Sequence, residues 1–185
     1  MSGKLLTDNR ELITDRILLH TCCAPCAAPS AERLVLDGYK VVLYFSNFNI
    51  HPAVEYLKRL KHARKLAEKM NLVIEEDQYD HDEWLRHIQG LENEPEQGAR
   101  CRKCFEFSLM RTSQMAERLD IPAFATTLTI SPHKVSRTIF EIGAQFPRFL
   151  PIDFKKKGGF LRSIELSEEY DLYRQSYCGC EFSKR

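Results

Sequence analysis

Nowhere in the 185-residue sequence do the roughly 18 consecutive apolar residues of a membrane-spanning helix occur, and the polar segment 1–16 lacks the apolar core of an export signal. Both absences lead to the expectation of a soluble, cytoplasmic protein with no membrane partner. Charge of one sign is also lacking. Lys and Arg number 27 against 26 Asp and Glu, a net charge of +1, so a nucleic-acid partner would have to be held by a local basic patch and not by bulk charge. No internal repeat is present, and 43% hydrophobic residues in a chain of this length suit one domain with a full core.

What the chain has in quantity is cysteine. Seven thiols, an odd number without an export signal, point away from a structural disulfide framework and toward ligands or redox groups. Three stand within five residues, in His20-Thr-Cys-Cys-Ala-Pro-Cys26, between an apolar strand and the opening of a helix. A thiolate at a helix N-terminus faces unpaired N–H groups and the positive end of the helix dipole, which lowers its pKa. Cys101-Arg-Lys-Cys104 is a second pair at a helix start, flanked by Arg100, Arg102 and Lys103, which could offset thiolate charge. The gap between the two groups far exceeds the roughly 15–20 residues of compact zinc ribbons, whereas iron-sulfur clusters tolerate scattered ligands. An iron-sulfur cluster, a zinc site and thiol-disulfide exchange through Cys23-Ala-Pro-Cys26 all stay open. Cys178-Gly-Cys180 is a different device: two thiols one glycine apart close a strained, easily reduced disulfide, suited to storing two electrons, with metal ligation as the alternative.

Hydrophobic periodicity predicts strands at 17–20, 40–45, 72–75, 123–129 and 148–153. Helices are predicted at 27–36, 53–70, 101–119, 135–146, the last capped by Ser131-Pro132, and 167–175, with an irregular or short-helical insertion at 77–98. Five alternations of strand and helix predict a single α/β domain over 1–185, an open doubly wound, mostly parallel sheet of about five strands. Residues 154–185 form a basic, Cys-Gly-Cys-bearing extension packed on it. The ligand crevice of such a sheet lies outside the carboxyl ends of the strands. The Cys22 group, the 46–52 loop, the 126–131 turn and Asp153 all fall at such ends.

Six segments together carry a resemblance: His20-Thr-Cys-Cys-Ala-Pro-Cys26; Asn49-Ile-His-Pro52 with Glu55-Tyr56; Arg100-Cys-Arg-Lys-Cys-Phe105; Thr126-Thr-Leu-Thr-Ile-Ser-Pro132; Asp153-Phe-Lys-Lys-Lys-Gly-Gly159; and Leu172-Tyr-Arg-Gln-Ser-Tyr-Cys-Gly-Cys180. In these the chain resembles the cobalamin-independent epoxyqueuosine reductases, the QueH family. The resemblance implies reduction of epoxyqueuosine at the tRNA wobble position to queuosine, a 4Fe-4S cluster, and a fold similar to the adenine nucleotide alpha-hydrolase type. It implies Cys22, Cys23, Cys101 and Cys104 as cluster ligands and Cys178 and Cys180 as a redox-active disulfide. Cysteines stand where a pyrophosphatase-type Ser-Gly-Gly loop would follow the first strand, which argues against ATP use. Cys26 is left over, open between an alternative ligand, a second metal such as an additional iron, and a small helix residue. Asp153, His51 and Tyr177 are candidates for proton delivery or for that iron, with Asp153 placed among the catalytic residues. The partners implied are tRNA carrying epoxyqueuosine and an electron donor such as a ferredoxin or flavodoxin. Lys155, Lys156 and Lys157, with Lys134 and Arg137, are the candidate phosphate-binding residues. A zinc-stabilised nucleic-acid-binding module and a thiol-disulfide oxidoreductase are the competing readings.

Overall fold

The first strand, β1 (Arg16–His20), lies at the middle of the fold, and Ile17, Leu18 and Leu19 are each fully buried. A strand covered on both faces reads as a continuous apolar run, which is why its sequence shows no alternation. The computed structural model describes residues 16–183, so the polar segment before Arg16 lies outside the described residues. Four strands form the sheet: β1, β2 (Lys40–Phe45), β3 (Val73–Glu76) and β4 (Ala123–Thr126), all parallel in the order β3-β2-β1-β4. Helices α1 (Ala24–Leu36), α2 (Ala53–Met70), α3 (His81–His87), α4 (Ala99–Arg118), α5 (Ser136–Gly143) and α6 (Gly159–Glu169) complete it.

The sheet separates two cores. Ile17 and Leu19 pack with Ala27, Ala31 and Leu34 of α1, and with Phe154, Leu166 and Leu172 from the C-terminal part of the chain. Leu18 turns the other way, onto Phe105 and Leu109 of α4 and Ile139 and Ile142 of α5. The direction in which strands are added reverses at β1, with β2 on one side and β4 on the other. The crevice of a doubly wound sheet opens at that switch point.

Several elements differ from expectation. The segment 148–153 contributes one bridge, Phe149 beside Phe124, in place of a fifth strand. Arg148 sits at φ 68° and Pro151 has no N–H, so the ladder cannot extend to either side. β4 stops at Thr126, whose side chain accepts from Leu128 N at 3.2 Å and starts a 3-10 turn, Thr127–Ile130. Ser131 does not cap α5, which starts from Val135; its Oγ accepts from His133 N instead. The last helix is α6, earlier than 167–175, because Asp171 at φ 50° ends it. At Gly159 a Cβ would collide with the Phe154 carbonyl oxygen, so only glycine lets α6 begin there. α1 starts three residues early with Cys23 as its extended N-cap (φ −168°, ψ 160°), which moves Cys26 into the first helical turn.

Asp77, just past β3, ties the sheet to α4. It accepts from Tyr44 Oη (2.6 Å), Ser46 Oγ (2.9 Å) and both arms of Arg111 (3.0 and 2.7 Å). Burial works to raise its pKa, but the hydrogen bonds from Arg111, Tyr44 and Ser46 outweigh it and hold the carboxyl below its usual range. A depressed carboxyl contributes stability that is present above its unfolded value of about 3.9 and lost as pH falls through the folded one. Asp77→Asn should therefore lower stability by about 1–3 kcal/mol at neutral pH, and urea denaturation at successive pH values should show the gap to the parent narrowing below about pH 4.

Candidate metal and redox centre

The loop leaving β1 is fixed before it reaches the thiols. His20, at the end of β1, meets Thr126 Oγ1 at the end of β4 through Nδ1 (2.8 Å), and its Nε2 lies 3.2 Å from the Ser46 carbonyl. Burial lowers its pKa, partly countered by the field of Cys22, which keeps the buried ring neutral. Asn47 Nδ2 donates to the Thr21 carbonyl at 2.9 Å, and Thr127 Oγ1 accepts from Cys22 N (3.0 Å) while lying 3.2 Å from its sulfur. The loop therefore has little freedom, and its sulfurs lie outside the carboxyl ends of β1 and β4.

Cys22, Cys23 and Cys26 converge, with their three sulfurs within 4.8 Å of one another. Cys23 and Cys26 stand three residues apart at the start of α1, a spacing that puts side chains on one face. Hydrogen bonds from Cys22 and then Cys26 hold the Cys23 thiol well below its ordinary pKa, and the same contacts push Cys22 and Cys26 up. The triad thus carries one favoured thiolate at a helix N-terminus. Cys101 and Cys104 occupy the first two turns of α4 with the same spacing. Burial is the largest cause raising both, and their next neighbours in charge include Cys178 and Cys180. Cys104 and Cys180 pack against one aromatic cluster of Phe48, Trp84 and Phe107.

A single cavity of about 1040 Å³ joins these groups, lined by Cys22, Cys26, Cys101, Cys104, Cys178 and Cys180, with Cys23 buried behind. All seven cysteines are free thiols. Lys134 also lines the cavity; burial works against its charge, but the neighbouring sulfurs of Cys178, Cys22, Cys26 and Cys23 outweigh this and push its pKa up. Thiolates of this kind suit zinc or an iron-sulfur cluster, and a half-buried ammonium offsets part of the negative charge.

Other expected residues are placed differently. Asp153 is outside the cavity lining, its carboxylate accepting from Lys155 N at 3.1 Å. Lys155 Nζ donates to the carbonyls of Ser131 (3.2 Å) and Lys134 (2.5 Å), holding the loop that carries Lys134. Lys156 and Lys157 are exposed, and Arg137 faces solvent, paired with Glu141 at 3.1 Å. Of the basic residues around the second pair, only Arg100 lines the cavity; Lys103 pairs with Glu106 (2.7 Å) and Arg102 with Glu141 (3.8 Å). Tyr177 lines it too, donating to the His51 carbonyl at 2.7 Å.

With this geometry in view, residues 17–185 match the family model described as "Epoxyqueuosine reductase QueH". The chain is 41% identical over 187 residues to the epoxyqueuosine reductase QueH of Streptococcus pyogenes serotype M1, covering 95% of this chain and 73% of that protein. It is 37% identical over 177 residues to that of Acinetobacter baylyi, covering 92% and 81%. The chain belongs to the epoxyqueuosine reductase QueH family. Among solved structures, it is similar to the U34-tRNA thiolase NcsA from Methanococcus maripaludis with its [4Fe-4S] cluster, at a TM-score of 0.59 and 9% identity. That match covers 94% of this chain and 63% of the other. It is a likeness of fold, of the adenine nucleotide alpha-hydrolase type.

One residue of this QueH-family chain that sequence reasoning passed over is Arg59. Its side chain is 2% exposed, paired with Glu55 at 2.7 Å, and its remaining nitrogens donate to the carbonyls of Cys178 (3.0 Å) and Tyr177 (3.2 Å). The signal is an arginine within the apolar stripe Tyr56, Leu60 and Ala63 of α2. Gly179 sits at φ +132°, and a Cβ there would press on Ile50, Arg59 and Asn49 at 3.1–3.3 Å. Glycine between the two thiols is therefore required both by backbone and by space. Arg59→Ala should cost about 3–5 kcal/mol by leaving Glu55 and two carbonyls without their partner. Alkylation of Cys178 should also accelerate, with Arg59→Lys intermediate in urea midpoint and labelling rate.

Proposed function

We propose that this chain reduces the epoxide of epoxyqueuosine at the tRNA anticodon wobble position, giving queuosine. Family membership supports the reaction, and one observation carries the site: six of seven cysteines line a single cavity at the switch point of the sheet. Deoxygenating an epoxide to an alkene takes two electrons and two protons and releases water. Two thiols hold just that inventory. Cys178 and Cys180 give up two hydrogens, their sulfurs join as a disulfide, both C–O bonds of the epoxide break, and the oxygen leaves as water. An external electron donor of the ferredoxin or flavodoxin class then returns two electrons to the sulfurs, which take two protons from solvent.

The donor set fits a 4Fe-4S cluster: thiolates from two helix starts, a cavity of sufficient volume and a half-buried lysine beside them. Cys22, Cys23, Cys101 and Cys104 are the assigned ligands, and the cluster, when bound, supplies electrons one at a time. Cys26, held within 4.8 Å of Cys22 and Cys23, is the residue placed to take part in a second metal site with the first loop. Lys134 attracts an anionic group to the cavity. Arg59 holds Cys178 by its carbonyl and leaves the sulfur free to react. Asp153 is kept as a proton donor only if substrate binding frees its carboxylate from the Lys155 amide.

Protein purified without oxygen should contain about four irons and four sulfides per chain. Cys101→Ala or Cys104→Ala should abolish them, whereas Cys178→Ala and Cys180→Ala should keep the iron yet fail to remove oxygen from epoxyqueuosine tRNA by mass spectrometry. Iron lost from the last two variants would make them ligands and end the dithiol assignment. Colourless protein holding zinc alone would favour the zinc-stabilised binding module.

The tRNA surface we assign to the exposed Lys156 and Lys157, since Lys155 is engaged with carbonyls. Changing both to Ala should reduce the slope of log K against log salt by about 1–2 units and weaken binding to modified and unmodified tRNA alike.

A further inference from the structure

Away from the thiol cavity, three metal-ligating side chains from distant parts of the chain face one another. His51 comes from the loop after β2, His81 from the first turn of α3, and Glu181 from the residue after Cys180. One nitrogen or oxygen of each lies within 4.8 Å of the others. His51 Nε2 stands 3.6 Å from Glu181 Oε2, and His81 Nε2 3.6 Å from Oε1, both beyond hydrogen-bond length. The imidazole centroids are 4.8 Å apart.

The tautomer of His81 is settled by its other nitrogen. Nδ1 lies 2.8 Å from the Phe48 carbonyl, which can only accept, so Nδ1 carries the hydrogen and Nε2 is the ring atom left to a metal. That Nε2 is buried, has no hydrogen-bond partner, and faces a carboxylate. One divalent ion can be reached by both nitrogens and the carboxylate together. A histidine whose second nitrogen donates to a backbone carbonyl has the arrangement of a metal ligand with its orientation fixed.

We propose that His51, His81 and Glu181 bind one divalent transition-metal ion of the zinc class through the two Nε2 atoms and a carboxylate oxygen, with water completing the shell. Zinc bonds of about 2.0–2.1 Å set tetrahedral donors about 3.3 Å apart; each nitrogen stands 3.6 Å from a different oxygen of the Glu181 carboxylate, so one ion gathers the three through a small turn of that partly exposed side chain. The ligands join the loop after β2, α3 and the tail, so the ion clips down the segment adjoining Cys180. His51 N already donates to the Gly179 carbonyl at 2.9 Å, and the metal would add a second attachment beside it. No sulfur takes part, and the site does not rest on the reductase reading.

The test is a cobalt titration of the intact, anaerobically purified protein, with zinc as competitor. One cobalt per chain should bind with weak visible bands, without the intense thiolate-to-cobalt charge-transfer absorption, and zinc should displace it. Glu181→Gln, near-isosteric and partly exposed, and His81→Ala should each lose this cobalt while keeping the thiol-bound iron, which also reports that they fold. No bound cobalt, a spectrum dominated by thiolate charge transfer, or unchanged binding in both variants would overturn the site. Protein lacking iron altogether would count against the reductase reading while a sulfur-free cobalt spectrum still upheld the clip.

Discussion

The hydrogen bond between His20 and Thr126 joins the carboxyl ends of the two strands on either side of the switch point. Everything placed at the mouth of the crevice depends on it. With His20 held between Thr126 and the Ser46 carbonyl, the backbone of Thr21 and Cys22 is steered toward β4, where Thr127 takes the Cys22 amide. Loss of that junction would not unfold the sheet, whose ladder runs through Ile17–Leu19, but it would release the loop that carries three of the seven thiols. Burial of a neutral imidazole is tolerable because both ring nitrogens have partners.

A second constraint is electrostatic. Seven thiols within one small domain cannot all ionise, and the structure distributes the charge unevenly. Cys23 is favoured as thiolate by donor thiols and the helix start, while burial keeps Cys101 and Cys104 protonated in the metal-free protein. Metal loading must therefore release protons, and the half-buried Lys134 supplies a compensating charge. Exposed lysines serve differently: Lys155 spends its ammonium on two carbonyls and so shapes the loop that delivers Lys134.

The alternation of strand and helix was legible because each strand is a short apolar run and each helix carries an apolar face. The three cysteine groups were legible from chemistry alone. What stayed hidden was set by contacts between distant segments. The reach of Arg59 to the Cys178 carbonyl spans 119 positions, and only its place in an apolar helix stripe hints at it. Residues 148–153 have strand composition, yet Arg148 and Pro151 deny them a ladder. Lys155-Lys156-Lys157 looks uniform in sequence, but a single turn with Lys157 at φ 60° divides it into one tethered and two exposed residues. In the tail, Gly158-Gly159 reads as a break and instead opens α6, because glycine alone permits the approach to Phe154.

The tail shows how a closely spaced thiol pair is held through its backbone. Arg59 grips the carbonyls of Tyr177 and Cys178, His51 N grips that of Gly179, and Ser183 N and Oγ close on that of Cys180. Each anchor is made to backbone, so oxidation or reduction of a side chain leaves the attachment intact. The alternative, anchoring through the sulfurs, would make docking depend on their redox state. Backbone attachment also explains why Arg59 must be buried and paired with Glu55: a solvated guanidinium would exchange these carbonyls for water, whereas a desolvated one loses more if they are withdrawn.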